Sequence, residues 1–360
     1  MNSPARFKSL FVCLAGAFAA SALLFSGCGK SETPAATSST PATPVVAPQW
    51  ATDIAPALKD KSLRLAFVPK GMENSYWLSV KKGIDAAKAD AEAAGIKLSI
   101  DWNGPPNEAD RAAQIALVEN YVAQKLDGII LCPMDIDALV APAQKAHAAG
   151  IPLVIVDSPL NYDQTVAFVG TDNSKAGVLA ALELAKELGN KGNVIMMRFI
   201  QGSASTSLRE EGFLKEMKNH PGIKILSSDV YVGDGGSDKA MTQASDLLNT
   251  YKGKVDGVFV PNQPTSDGML RALETANLAG KVKFVGFDGD KLIMGALTSG
   301  EMNAVVLQNP YEMGYIGVKT MLQHLAGQKV DSNIDTGTTV VTKDNESTDA
   351  VKTLLDHTVM

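Results

Sequence analysis

Nine side chains in this chain are suited to grip a small polar molecule: Lys70, Asn74, Tyr76, Trp77, Asp157, Arg209, Asn262, Asp288 and Gln308. The carboxylates, carboxamides and guanidinium are planar and multidentate. A carboxylate accepts from two adjacent hydroxyls, and a guanidinium donates to two oxygens. Tyr76 and Trp77 offer flat apolar faces to the C–H side of a ring, and Lys70 adds a flexible point donor. That set matches a sugar, whose neighbouring hydroxyls are both donors and acceptors. Each residue also has an ordinary use. Asp157, Asn262 and Asp288 could cap a following helix, Arg209 could lie on a solvated helix face, and Trp77 could belong to the core.

The residues needed for chemistry are missing from the expected places. His147 lies in an Ala-rich helical stretch, His220 precedes Pro221, His324 lies in a late helical stretch, and His357 is near the end of the chain. None follows an apolar run or has a Cys or His partner at metal-ligand spacing, so no catalytic residue and no metal site are expected. Cys132 directly follows the apolar run Gly128–Leu131 and reads as a buried strand-end residue. Gly233 to Asp238 lacks the last glycine of a dinucleotide fingerprint. Asp331 to Asp335 imitates a calcium loop, but Thr336 stands where the glycine is required, so the segment reads as a polar linker. No cofactor is expected.

The elements that position the nine residues follow from periodicity. Ten short runs carry mostly consecutive apolar residues: 65–68, 98–100, 128–131, 153–156, 166–169, 194–197, 223–226, 255–260, 284–287 and 304–307. Strands covered on both faces of a parallel sheet read this way. Longer helical patterns lie between them, over 75–94, 108–125, 138–149, 174–188, 205–218, 238–251, 266–279 and 311–325. Repeated β-α units give an α/β class, and its open sheets bind ligands at the carboxyl ends of the strands. Lys70, Asp157, Asn262, Asp288 and Gln308 fall at or just beyond run ends. Ten strands in 360 residues fit two sheets of about five better than one.

The N-terminus reads as an address. Arg6 and Lys8 precede Leu10–Phe25, sixteen residues without a charge. That length suits a signal segment and is short of the roughly 20 residues that span a bilayer. Residues 1–27 are therefore expected to be a signal peptide. Its end, Phe25-Ser26-Gly27-Cys28, resembles the lipobox of bacterial lipoproteins, which implies a lipid on Cys28. Residues 28–60, rich in Pro, Thr, Ser and Ala, read as a tether. Loss of the signal takes the formal charge from −6 to −8, which disfavours nucleic acid as a partner. An N-terminal DNA-binding head, as in a sugar-responsive repressor, has no room here.

Several motifs in order carry a family resemblance: Asn74-Ser-Tyr76-Trp77, Ile155-Val-Asp157, Gly170-Thr-Asp172-Asn173, Arg209-Glu-Glu-Gly212-Phe213, Phe259-Val-Pro-Asn262, Val285-Gly-Phe-Asp288-Gly289 and Val306-Leu-Gln308-Asn-Pro310. From about Leu63 to Val341 the chain resembles the type I periplasmic binding proteins of sugar ABC importers, nearest the ribose-binding group. The resemblance implies two Rossmann-like lobes with parallel sheets, joined by a three-crossing hinge near 171–172, 308–309 and 336–338. One lobe would take 61–171 with 309–336, the other 172–308 with 337–360. It also implies that all nine residues touch the ligand, with Lys70, Asn74, Tyr76, Trp77 and Asp157 on the first lobe. The function it implies is capture of a monosaccharide and delivery to an ABC permease with its ATPase. The protein would be a monomer held in the periplasm or cell envelope by a lipid anchor in a membrane, and a chemoreceptor would be a further possible partner. Lys70 stands where ribose binders have a small polar residue, Ser158 where they have arginine, and residues 232–238 lack their second-lobe aromatic. An autoinducer-2-like or polyol receptor, or a chemoreceptor-facing sugar sensor, therefore stays open as an alternative.

Overall fold

The computed structural model describes residues 47–233 and 236–358. The expected signal peptide, Cys28 and the first part of the tether lie outside the described residues. The elements run α1 (Gln49–Leu58), β1 (Ser62–Val68), α2 (Ser75–Ala93), β2 (Lys97–Trp102), α3 (Arg111–Ala123), β3 (Gly128–Leu131), α4 (Val140–Ala148), β4 (Leu153–Val156) and β5 (Ala167–Gly170). They continue with α5 (Asn173–Glu187), β6 (Gly192–Met196), α6 (Ala204–Met217), β7 (Ile223–Ser227), α7 (Ser237–Thr250), β8 (Gly257–Phe259), α8 (Gln263–Thr275), β9 (Lys283–Phe287), α9 (Lys291–Ser299) and β10 (Ala304–Gln308). The chain closes with α10 (Pro310–Leu325), β11 (Asn333–Asp335), β12 (Thr338–Thr342) and α11 (Asp349–Asp356). No helix among the described residues is long and apolar enough to cross a membrane.

Two six-stranded sheets result, in the orders β11-β5-β4-β3-β1-β2 and β12-β10-β9-β8-β6-β7. The orders correspond strand for strand, so each lobe repeats the other's winding. All pairings are parallel except β12, which runs antiparallel to β10. The chain passes between the sheets after β5, after β10 and between β11 and β12. Alternate residues of each strand feed opposite faces. Leu65 and Phe67 pack under α2 and α10, while Ala66 and Val68 pack under α3 and α4. In the second lobe, Ile195 and Val258 face α7 and α8, and Val194 and Phe259 face α5 and α6. Burial on both faces is why these strands carry unbroken apolar runs.

Three expectations change. The tether does not extend to residue 60, because Gln49–Leu58 form a helix. Ile54 and Leu58 are buried against the first lobe's core, and Trp50 packs beside them. Burying the two aliphatic side chains contributes about 3–6 kcal/mol before entropy costs. The polar linker at 331–335 contains the edge strand β11, with Ile334 paired to Val169. Finally, α9, α11 and β12 are additional elements that apolar periodicity did not mark.

Helix spacing serves the site directly. A Cβ on Gly177 of α5 would collide with the Arg209 carbonyl of α6. Only glycine lets these helices approach so closely, and that approach brings Asn173 of α5 to the Arg209 guanidinium.

Candidate functional site

All nine residues read from the sequence line one cavity between the lobes, at the carboxyl ends of the two sheets. β1 delivers Lys70 and β4 delivers Asp157. The Lys70 ammonium lies 2.6 Å from Asp157 Oδ2 and donates to Ser205 Oγ of the opposite lobe at 3.0 Å. The Tyr76 hydroxyl donates to Asp157 Oδ1 at 2.7 Å. Tyr76 and Trp77 occupy the first turn of α2 and meet edge to face, with centroids 5.1 Å apart. Burial and the adjacent Asp157 carboxylate push the Tyr76 phenol well above its ordinary pKa, so it stays a donor.

In the second lobe Arg209 is 2% exposed. Its Nε donates to Asn173 Oδ1 at 2.8 Å and its Nη1 to the Pro261 carbonyl at 2.9 Å. The guanidinium lies 4.1 Å over the Phe287 ring. Gln308 Nε2, at the end of β10, donates to Asp288 Oδ1 at 2.8 Å. Burial pushes the Asp288 carboxyl up to about 6, against the opposing pull of Arg209 and Gln308.

Asp157 and Asp288 follow β4 and β9, which hold the same place in their sheets. Both adopt left-handed backbone angles, with φ of 67° and 60°. Such angles are uncommon outside glycine and tend to mark sites where orientation matters. Neither aspartate caps a helix; Asp172 and Asp290 do that for α5 and α9. Asn262 does cap α8, and Asn74 caps α2 while donating to Glu108 at 2.9 Å. Arg209 lies on no solvated face. Trp77, 1% exposed, serves both core and cavity.

Of the further residues that line the cavity, Glu108 of the first lobe and Gln263 of the second make contacts that the sequence reading missed. Glu108 accepts from Trp77 Nε1 at 2.8 Å, and desolvation in the cleft raises its carboxyl pKa. Gln263 accepts from the Tyr76 amide at 3.3 Å and donates to Ser75 Oγ and Asp290 Oδ2, both at 2.8 Å. It thus bridges the lobes. Glu108 precedes α3 in a loop that follows no apolar run directly, and Gln263 is masked by its neighbour Asn262. Cross-cleft bonds from Ser205 N to Ser158 Oγ and from Ile136 N to the Gly202 carbonyl complete a closed arrangement. Among the described residues, no group of His, Cys, Asp or Glu could hold a metal.

Two buried polar atoms of this cavity, Arg209 Nη2 and Gln308 Oε1, have no hydrogen-bond partner among the described residues. One is a donor and one an acceptor. Buried polar groups almost always find partners, so orphans at a cleft point to a ligand that supplies them. Two lobes closing on convergent polar groups define a binding receptor.

Known proteins agree. A family model described as a periplasmic binding protein domain matches residues 65–329. The D-allose-binding periplasmic protein of Escherichia coli is 30% identical, covering 74% of this chain and 85% of that protein. The ribose import binding protein of Bacillus subtilis is 27% identical, covering 80% and 89%. A solved ABC transporter solute binding protein from Agrobacterium vitis, with bound D-fucose, is 36% identical with a TM-score of 0.77, covering 82% of this chain and 100% of its own. One from Agrobacterium radiobacter, in complex with D-arabinose, is 33% identical with a TM-score of 0.77, covering 82% and 99%. The chain belongs to the periplasmic binding protein family, as a type I, non-enzymatic receptor of the sugar-importer class.

Proposed function

We propose that this protein captures a pentose or hexose monosaccharide through the nine residues named above and presents it, lobes closed, to an ABC permease. The observation that carries this reading is the convergence of side chains from both lobes on one cavity, with Arg209 Nη2 and Gln308 Oε1 left over. Ligand contacts from both lobes exist together only in the closed form, so binding shifts the population toward closure. A sugar would replace the direct Lys70–Ser205 and Tyr76–Gln263 contacts with hydroxyl-mediated ones. The names of the relatives favour ribose, allose, arabinose and fucose as first candidates.

A thermal-shift screen of the two-lobed body against pentoses, hexoses, polyols and autoinducer-2 tests the reading. A ligand at 100 times its Kd adds about 2.7 kcal/mol of stability. A shift from a sugar supports monosaccharide capture, a shift from a polyol or autoinducer-2 alone replaces it, and turnover of any compound overturns it. The signal peptide and the lipid on Cys28 belong to the same proposal, as does a monomeric state. Cys28→Ala is expected to move the protein from the membrane fraction to the soluble envelope fraction. A docking chemoreceptor would show as taxis lost while uptake persists.

A further inference from the structure

The cleft does not end at the cavity just described. A second chamber of about 560 Å³ adjoins it, and Asn74, Glu108, Gln263 and Pro264 line both. Among the described residues, the walls of the outer chamber are acidic, with Glu73, Glu108, Asp238, Asp267 and Asp290 against a single Arg271. Arg271 is already paired with Asp238 at 3.2 Å. Asp267 is the distinctive group. It is 9% exposed, yet only its Oδ2 has a partner, Ser237 Oγ at 3.3 Å. Its Oδ1 is buried without a hydrogen-bond partner among the described residues. Asp290 is fixed by capping α9 through Oδ1 and by accepting from Gln263 through Oδ2. Gln263 therefore ties this acidic wall to the interlobe bridge.

An ionised carboxylate only accepts hydrogen bonds. A buried one with a free oxygen is costly unless a donor reaches it. An anionic group does not suit this chamber, and an apolar one would leave Asp267 Oδ1 unsatisfied.

We infer that the outer chamber is a second subsite for a hydrogen-bond-donating appendage of the bound sugar, so that the protein takes a glycoside bearing an ammonium group or a second sugar ring in preference to the bare monosaccharide. The inference rests on the monosaccharide reading of the inner cavity. The sugar ring occupies that cavity, and its substituent passes between Asn74 and Gln263 to meet the Asp267 carboxylate, which turns its buried Oδ1 toward the new donor. The ammonium and the second ring share one chemistry, since both present several donors to carboxylates.

The test is calorimetric titration of the full chain with D-ribose, D-allose, D-arabinose and D-fucose. Each is compared with its ethyl glycoside, its 2-aminoethyl glycoside and a disaccharide carrying that sugar at the non-reducing end. For at least one sugar, the 2-aminoethyl glycoside or the disaccharide should bind about tenfold more tightly than the ethyl glycoside, the scale of one charge-assisted hydrogen bond. Asp267→Asn keeps the shape and should remove that advantage while leaving the free sugar's affinity as it was. A gain with the aminoethyl compound alone assigns the subsite to a cation, and a gain with the disaccharide alone assigns it to a second ring. Free sugar that binds as well as every glycoside overturns the subsite and leaves the inner site standing. No binding by any probe overturns both.

Discussion

Asp288→Asn is expected to move stability and affinity in opposite directions. The substitution is nearly isosteric, and asparagine tolerates the left-handed backbone that Asp288 adopts. An aspartate ordinarily titrates near 3.8, whereas Asp288 is held at about 6 by burial, even after the favourable effects of Arg209 and Gln308. Keeping it ionised in the folded protein at neutral pH therefore costs about 3 kcal/mol. The neutral carboxamide avoids that cost, so the ligand-free variant should melt about 5–10 °C higher than the parent, for a lobe of this size. The same change removes a charged acceptor from the proposed sugar contacts. A hydrogen bond to a charged group contributes about 1.5–3 kcal/mol, so affinity should fall roughly tenfold to a hundredfold. Differential scanning fluorimetry and calorimetric titration on one preparation read both effects. An unchanged Kd would remove Asp288 from the ligand contacts. A lower melting temperature would refute the claim that burying its charge is the dominant cost.

Three other outcomes follow from particular contacts. Ile54→Ala should lower stability by about 2–5 kcal/mol, as for other buried Ile to Ala changes, with sugar affinity unaltered; an unshifted melting curve would return α1 to the tether. Gln263→Ala removes bonds to Ser75, the Tyr76 amide and Asp290, so small-angle scattering should show a larger ligand-free radius of gyration and titration about tenfold weaker binding. A scattering curve identical to the parent's would mean that Gln263 does not hold the lobes together. Asp288 at about 6, and Asp267 and Glu210 at about 7, are all raised chiefly by burial. The folded state then holds protons that the unfolded state has released, so stability should fall as pH rises from about 4 to 7. Asp267→Asn should flatten the upper part of that slope, and melting temperatures that rise over the range would contradict the sign.

What could be read from the sequence was set by how strongly burial constrains each residue. Val68, Leu131, Val156 and Phe287 lie at the ends of strands packed on both faces, and such strands must be apolar throughout. Lys70, Asp157 and Asp288, just beyond them, could therefore be located by position alone. α1 was obscured because Pro48 caps it and Pro56 lies within it, which gives the helix the composition of the tether before it. β11 and β12 are edge strands with half-exposed faces, and their identity depends on pairing with β5 and β10 rather than on their own residues. Glu108 and Gln263 reach the site through loop geometry and the first turn of a helix. Periodicity carries no information about either.

The two aspartates explain why closure should depend on a ligand. Asp157 and Asp288 follow equivalent strands of opposite lobes, so closing the cleft brings like charges together while stripping water from both. The field of Asp157 indeed contributes to raising the Asp288 carboxyl and the Tyr76 phenol. Lys70 neutralises one side at 2.6 Å, and Arg209 opposes the effect on the other. Arg209 still keeps Nη2, and Gln308 its Oε1, without a partner. In the proposed mode of binding, a ligand with adjacent hydroxyls relieves each deficit at once. Its hydrogens satisfy carboxylate and carboxamide oxygens, and its oxygens accept from the guanidinium. A ligand without them leaves the desolvation cost in place, at about 1–3 kcal/mol for each orphaned group. On this proposal, selectivity for hydroxyls arises from the cost of closing on anything else, as much as from the contacts made with the right sugar.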